Sequence, residues 1–278
     1  MKNAVQAAAE LNDKQLQQLI DLIRHLHGFD FSDYAQASLK RRVSRVMQLK
    51  RISFPELSSQ LINDPHYFDY FLSQLTVNTT EMFRDPSFFK VLKEKVIPYL
   101  NSYQHIKVWS SGCSSGEELY SLAILFKEAG LYARSFFYGT DINQEVLQKA
   151  KDGIYDLARM KQYSENFIES DSQTSLSNYY TAKYDAASIS RKLKKNVLFS
   201  THNLVSDGPF NEFQLIACRN VLIYFNTQLQ SRAIELFYNS LANFGFLCLG
   251  TKETIRDPEV AKKFKLIDKK HNIYQKVN

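Results

Sequence analysis

Residues 106–121 read IKVWSSGCSSGEELYS, a short apolar run followed by a turn and then a helical pattern. Gly112 and Gly116 bracket the turn, where glycine lets the backbone bend sharply and approach a bound ligand closely. A dinucleotide-binding loop has the spacing GxGxxG, whereas this loop has GxxxG followed by Glu117 and Glu118. Two carboxylates at the start of a helix would repel a pyrophosphate, so the loop is better suited to a cationic ligand.

Short apolar runs alternate with helical stretches after about residue 85. The strand candidates are 106–109, 135–138, 197–199, 213–217 and 246–249, and the helical stretches are 116–129, 143–151 and 227–243. This alternation predicts an α/β fold built on a Rossmann-like, doubly wound parallel sheet. Such sheets bind ligands at the carboxyl ends of their strands.

Asp141 follows the second strand candidate, 25 residues after Gly116. An acid at this position commonly accepts hydrogen bonds from the ribose hydroxyls of an adenosine ligand. Together with the acidic loop it favours S-adenosylmethionine (SAM), which carries sulfonium and ammonium groups, over NAD. Two structural alternatives stay open, since Glu117 and Glu118 could complement the helix dipole and Asp141 could cap a helix.

The N-terminal region has a different pattern, with apolar residues at helical spacing. Gly28 predicts the end of a first helix, and Ser53 and Asp64 predict the starts of later ones. We expect a small all-helical domain over 1–76 that docks the substrate, an interdomain segment at 77–86 and a ligand-binding domain over 87–278. Residues 154–195 are polar and contain neither Gly nor Pro, which predicts a small inserted subdomain.

The composition is that of a globular protein, with 44% hydrophobic and 23% charged residues in 278. No apolar run reaches the roughly 20 residues of a membrane helix, and the first residues lack a secretion signal. We therefore expect a cytoplasmic protein without membrane insertion. A monomer is the expected oligomeric state. Cys113, Cys218 and Cys248 form no CxxC pair, so we expect reduced thiols and no metal site.

The net charge of +6 points to an acidic partner, and one segment concentrates cations. Between Tyr34 and Pro55 there are six Lys and Arg residues and no acid: Lys40, Arg41, Arg42, Arg45, Lys50 and Arg51. Leu39, Val43 and Val46 keep an apolar stripe on the same stretch, which predicts a helix with one exposed cationic face. The alternative is an ordinary solvated face.

Two further segments contain more polar side chains than a purely structural role would require. Residues 77–86, VNTTEMFRDP, lie at the junction of the two regions, and residues 218–225, CRNVLIYF, follow the fourth strand candidate. Each could be structural, the first as a capped linker and the second as a buried tyrosine with a satisfied hydroxyl.

Taken in order, NTTEMFRD, VWSSGCSSGEELYS, GTDINQEVLQKAKDGIY, THNL and DGPFNEFQLIACRNVLIYF resemble the CheR-type chemotaxis receptor methyltransferases over nearly the whole chain. The resemblance implies a SAM-dependent protein-glutamate O-methyltransferase that holds SAM between its two regions. Its products would be glutamyl methyl esters and S-adenosylhomocysteine (SAH). Its partner would be the cytoplasmic helical region of a chemoreceptor or a similar acidic helical protein, with no nucleic acid.

The resemblance also implies roles for individual residues at matching motif positions. Those implied to contact SAM are Asn78, Thr80, Arg84, Glu118, Asp141, Asn203, Leu204, Arg219 and Asn220. Glu118 would face the ligand's amino group and Asp141 would accept from the ribose. Tyr224 would lie near the reacting methyl group, so Arg84 and Tyr224 are the catalytic candidates. Arg42, with Arg45 beside it, would dock the receptor.

The sequence departs from the family pattern at three places. Leu119 replaces the usual Pro, Gln214 stands where an acid is common, and residues 251–253, TKE, replace HSE.

A Glu acceptor has a pKa of about 4.3 and is ionised at pH 7, so the reaction needs no general base. Some family members take a receptor's C-terminal peptide as an added strand beside a Gly-rich turn. Because 154–195 contains no Gly, we expect methylation here to be independent of such a tail.

Two other functions stay open. A SAM methyltransferase acting on a nucleic acid or small molecule would use the cationic helix for phosphates, but the Asn/Asp-Pro-Pro-aromatic segment typical of nucleotide-amine methyltransferases is missing. A non-catalytic SAM-sensing module would keep the pocket without turnover.

Overall fold

Within residues 11–76, four helices form the N-terminal region: α1 (Asp13–His27), α2 (Gln36–Lys50), α3 (Phe54–Asn63) and α4 (Pro65–Leu75). The computed structural model describes residues 11–76 and 79–277. Helix α1 ends at Gly28 in the left-handed conformation, and Glu56 accepts from the Ser53 N–H at 2.7 Å at the start of α3. The Asp64 carboxylate accepts from the His66 N–H at 2.9 Å at the start of α4. The three predicted helix boundaries are therefore confirmed.

The remaining helices belong mostly to the C-terminal region: α5 (Pro86–Val91), α6 (Ile97–Leu100), α7 (Glu117–Glu128), α8 (Gln144–Asp152), α9 (Arg159–Glu169), α10 (Arg191–Lys194), α11 (Thr227–Ser240) and α12 (Pro258–Ala261). A π-helical stretch, Leu92–Val96, joins α5 to α6. The chain separates into two compact units, one of residues 1–77 with 224–230 and one of residues 78–223 with 231–278. We call these the first and the second unit.

The described part of the second unit contains ten strands: β1 (Ile106–Ser111), β2 (Ser135–Asp141), β3 (Ile154–Asp156), β4 (Tyr180–Lys183), β5 (Ala186–Ile189), β6 (Val197–Thr201), β7 (Phe213–Cys218), β8 (Leu241–Leu249), β9 (Phe264–Asp268) and β10 (Ile273–Lys276). Seven of them form one sheet in the order β6-β2-β1-β7-β8-β10-β9. The five strand candidates all fall within it and pair in parallel. Strand β10 runs antiparallel to both neighbours, so the sheet is mixed and not wholly parallel.

The strand order indicates which part of the sheet binds a ligand. Strands β2 and β6 lie on one side of β1, and β7 and β8 lie on the other. The order therefore reverses between β1 and β7, and the crevice outside the carboxyl ends of the strands at such a switch point is where these sheets bind ligands. The side chains that follow β1, β2, β6 and β7 belong to the segments that the sequence singled out.

Strands β3, β5 and β4 form a separate three-stranded antiparallel sheet within residues 154–195. Strands β4 and β5 are joined by Tyr184 and Asp185 alone, and Tyr184 takes the positive φ of 52° that the turn requires. A tight turn in this insertion therefore forms without glycine, and the expectation that such turns need glycine was wrong. With β4 at an open edge, independence from a receptor tail stays a prediction that no longer follows from glycine content.

Candidate functional site

The carboxylate of Asp141, at the carboxyl end of β2, holds the loop that follows β1. Its Oδ2 accepts from the Ser114 N–H at 2.9 Å, and its Oδ1 accepts from the Asn143 N–H at 3.0 Å. Only 8% of Asp141 is exposed, and this burial raises the pKa of its carboxyl against the lowering effect of the backbone donors. The cap of α8 is Asn143, not Asp141, so capping does not account for the acid at position 141.

The two glycines of the loop are required by its backbone and by its packing. Gly112 has φ 70° and Gly116 has φ 92°, values that side-chain-bearing residues rarely adopt. A Cβ at Gly112 would collide with Val221, and one at Gly116 would lie 2.9 Å from the Ala150 Cβ. The glycines therefore bring the loop close to α8 and to the turn after β7.

Arg219, just past β7, is the buried centre of an ion-pair network. Its Nη1 donates to Glu118 Oε2 at 3.1 Å and its Nη2 donates to Asp85 Oδ2 at 2.6 Å. The guanidinium also lies over the Phe88 ring, 4.0 Å from its centroid, and only 2% of the side chain is exposed. Ser110 donates to the other oxygen of Glu118 at 2.9 Å. The fold thus brings together two predicted SAM contacts, Glu118 and Arg219, whose opposite charges partly neutralise each other.

The segment before α5 is tied to the same network. Arg219 Nη2 donates to the carbonyl oxygen of Arg84 at 3.2 Å, and Arg84 Nη1 donates to the Thr79 carbonyl oxygen at 3.2 Å. The Phe83 N–H donates to Ser121 Oγ on α7 at 2.9 Å. Thr80 and Arg84 are half-buried, whereas the predicted contact Asn78 lies outside the described residues.

A second buried carboxylate, Glu253, organises the turn after β7. Its Oε2 accepts from the N–H groups of Asn220 at 3.0 Å and Gly250 at 2.6 Å, and its Oε1 accepts from the Ile223 N–H at 3.3 Å. Burial raises the pKa of Glu253. Asn220 has φ 62°, and its Oδ1 is buried without a hydrogen-bond partner among the described residues. A buried acceptor of this kind is commonly satisfied by a bound molecule.

Asn203 and Leu204 follow β6, the neighbour of β2. Thr201, the last residue of β6, pairs with Asp141, and the His202 N–H donates to the Asp141 carbonyl oxygen at 3.3 Å. The Asn203 Oδ1 accepts from the Val205 N–H at 2.9 Å, so this side chain shapes its own turn. Both residues therefore lie at the same edge of the sheet as Asp141.

Glu117 does not share the environment of Glu118. It is fully buried, and its Oε2 accepts from Ser115 Oγ at 2.7 Å while its Oε1 accepts from Tyr163 Oη at 3.3 Å. Desolvation raises the pKa of its carboxyl. The expectation that both loop acids face a cationic ligand is therefore wrong for Glu117, which faces α9 of the inserted subdomain.

The docking candidates and Tyr224 belong to the first unit. Arg42 donates through Nη1 to the Leu75 carbonyl oxygen, and its Cζ lies 4.5 Å from the centroid of the Tyr224 ring. Lys40 pairs with Asp13 at 2.7 Å, whereas Arg41 and Arg45 are exposed. The prediction of one exposed face containing all six cations is therefore wrong, because Arg42 is half-buried against its own unit.

Sequence reasoning missed several residues that build this site. Asp85, Phe88 and Ser110 complete the Arg219 network, and Glu253 was noted only as part of an unusual TKE segment.

Within residues 11–76 and 79–277, no group of three His, Cys, Asp or Glu residues could hold a metal ion. No helix in that part of the chain is long and apolar enough to cross a bilayer.

The donor and acceptor groups at this edge suit SAM. A carboxylate offers about four acceptor positions, so Asp141 keeps capacity for ribose hydroxyls beyond its backbone donors. The unpartnered Asn220 Oδ1 can accept a hydrogen bond from a ligand amino group. Glu118 keeps 15% of its side chain exposed and supplies a negative charge for an ammonium group.

Comparison with known proteins identifies the family. The model described as CheR methyltransferase, SAM binding domain, matches residues 78–273, and the model described as CheR methyltransferase, all-alpha domain, matches residues 14–76. A protein named Cher3 from Pseudomonas putida is 41% identical over 265 residues, which cover 95% of this chain and 97% of that protein.

Two further relatives carry more specific names. A chemotaxis protein methyltransferase from Listeria innocua is 34% identical over 83% of this chain and 86% of its own. One from Salmonella typhimurium is 30% identical over 87% of this chain and 84% of its own. These matches confirm the predicted family, the SAM-dependent activity and the fold class, in which an all-helical domain precedes a Rossmann-like domain. The chain belongs to the CheR methyltransferase family.

Proposed function

We propose that this protein methylates glutamate side chains in the cytoplasmic helical region of chemoreceptors, giving glutamyl methyl esters and SAH. The observation that carries the proposal is the buried edge of the sheet, where Asp141, Glu118 and the unpartnered Asn220 Oδ1 offer acceptors to an adenosine ligand with a cationic tail. The names of the Listeria and Salmonella relatives support a chemotaxis role. The proposed setting is the cytoplasm.

SAM supplies a methyl group that is activated by its sulfonium. The chain's own residues must place a receptor carboxylate in line with that group and keep water away, and such placement can lower a barrier by roughly 7 to 11 kcal/mol. Moving the carboxylate out of water is costly, and a hydrogen-bond donor that contacts its second oxygen offsets the cost. Arg84 and Tyr224 are the proposed donors. No residue needs to remove a proton.

The direct test is incubation of the protein with methyl-labelled SAM and a panel of purified chemoreceptors. We expect the label to enter receptor glutamates as base-labile methyl esters. Parallel incubations with RNA and with small-molecule acceptors distinguish the other methyltransferase functions. Label in those samples alone would contradict the proposed substrate, and SAM binding without any labelled product would indicate a sensing module.

Asp141→Ala should weaken SAH binding by about 1.5 to 3 kcal/mol, or roughly 10- to 150-fold, because a charged acceptor of the ribose is lost. Calorimetry measures the affinity. A matched control is Asp64→Ala, which removes an exposed carboxylate that likewise accepts from the N–H two residues on. An SAH analogue without the 2′-hydroxyl separates ribose binding from loop distortion. If the analogue lost as much affinity for the variant as SAH does, the ribose assignment would fail.

The exposed cations of α2 are the proposed receptor-docking surface, so reversing Arg41 and Arg45 to Glu should raise the apparent KM for receptor about 10-fold at low salt. The effect should shrink at high ionic strength, and SAH affinity should stay unchanged. Arg42 is left intact, because its contacts to Leu75 and Tyr224 would mix docking with folding. The control, Lys265→Glu with Lys269→Glu, makes the same change in net charge on exposed residues elsewhere. An equal rise in KM in the control would show a general charge effect.

A further inference from the structure

The inserted subdomain contacts the SAM-binding loop directly through two tyrosine hydroxyls. Tyr155 on β3 donates from Oη to the Ser115 carbonyl oxygen at 2.7 Å. Tyr163 on α9 donates from Oη to Glu117 Oε1 at 3.3 Å, and Arg159 Nη1 lies 3.8 Å from the same oxygen. Ser115 and Glu117 flank Gly116 and lead into Glu118. The insertion therefore holds the part of the loop that faces away from the Arg219 network.

The same helix reaches the other segment implied to contact SAM. Asn166 Nδ2 donates to the Met82 carbonyl oxygen at 3.0 Å, and the Phe167 ring packs on the Phe83 ring with centroids 4.8 Å apart. Tyr163, Asn166 and Phe167 are three and four residues apart, so they share one face of α9. That face joins the loop after β1 to the segment before α5.

The burial of these groups makes their geometry strict. Tyr163 and Tyr155 expose 2% and 6% of their surfaces, and Asn166 exposes 7%. Burial raises the pKa of both tyrosines well above the ordinary value, so their hydroxyls keep their protons and act as donors. Leaving a buried acceptor without a donor costs more free energy than an average hydrogen bond contributes. Arrangements of the loop that break these hydrogen bonds are therefore unfavourable.

We propose that the inserted subdomain positions the SAM-binding loop, with Tyr155 and Tyr163 as positioning residues that hold Ser115 and Glu117 in the SAM-binding conformation. The inference rests on the proposed function, since it assigns a role toward SAM. It differs from a purely structural role, in which the two hydroxyls would stabilise the fold without influencing ligand affinity.

The test compares Tyr155→Phe and Tyr163→Phe with Tyr184→Phe in the full-length protein. Tyr184 belongs to the same insertion and is 86% exposed, so it is a matched control. We expect about 5-fold weaker SAH binding by calorimetry for each of the first two variants. The KM for SAM should rise by the same factor, with a smaller change in kcat. The control should match the unmodified protein in each measurement.

Thermal unfolding of the same variants distinguishes the two roles. A lower melting temperature with unchanged SAH affinity would overturn the proposal. If a buried variant failed to fold, Arg159→Met, which loosens Glu117 through a side chain that is 56% exposed, should still weaken SAH binding 2- to 3-fold; unchanged affinity in that variant would also overturn it. Failure of the unmodified protein to bind SAH would refute the proposed function itself, whereas receptor labelling has no bearing on the comparison among variants.

Discussion

Arg219→Met should lower the free energy of unfolding by about 3 kcal/mol, because it leaves the largely buried carboxylate of Glu118 without its counter-ion. Among the described residues, Glu118 would keep its hydrogen bond from the Ser110 hydroxyl, and Asp85 would lose its donor at 2.6 Å. Methionine keeps much of the apolar contact with Phe88, so the loss reports the charge and its hydrogen bonds. Urea denaturation of the full chain measures the effect.

A matched control is Arg24→Met. Arg24 pairs with Asp21 at 3.1 Å on the surface of α1, where more than half of each side chain is exposed. A surface pair of this kind contributes between 0 and about 1 kcal/mol. If both variants lost the same free energy of unfolding, the Arg219 network would stabilise the fold no more than a surface ion pair does. SAH affinity should fall in Arg219→Met only, since Glu118 and the 79–85 segment lose their common anchor.

The fold could be predicted further from the sequence than the site, because strand and helix patterns are local. The five parallel strands have mostly apolar runs, interrupted by Lys107 in β1 and Gln214 in β7, and these runs are visible without knowing their neighbours. Strands β9 (FKLID) and β10 (IYQK) are four or five residues long and are neither continuously apolar nor strictly alternating, so they give a weak signal. The antiparallel end of the sheet was therefore missed in the strand assignment.

Two errors at the candidate site were avoidable from helix geometry alone. Adjacent helical residues point about 100° apart, so Glu117 and Glu118 are directed toward different surroundings. For the same reason Lys40, Arg41 and Arg42 span about 200° of α2 and cannot share one exposed face. Other features were out of reach: Asp85 is 134 residues from Arg219, and Glu253 is 33 residues from Asn220. Such pairings depend on the strand order, and no local sequence motif predicts them.

The last prediction concerns turnover. Tyr224→Phe should lower kcat about 100-fold, the size of effect seen when one hydrogen-bond donor to a reacting group is removed. The affinity for SAH should change less than 3-fold, because a contact made mainly in the transition state appears in kcat. Phenylalanine keeps the ring under Arg42, whose Cζ lies 4.5 Å from its centroid, so the first unit should stay folded. Arg84→Ala should impair both kcat and SAH binding.

The control is Tyr70→Phe, which removes a hydroxyl from another ring of the first unit that lies under a cation, Lys50 Nζ at 4.3 Å. Both variants keep their cation–π contact, so they should melt at nearly the same temperature. Only Tyr224→Phe should lose activity with a receptor substrate. If its kcat matched that of Tyr70→Phe, the Tyr224 hydroxyl would have no part in catalysis, and the ring would serve to pack Arg42 on the first unit.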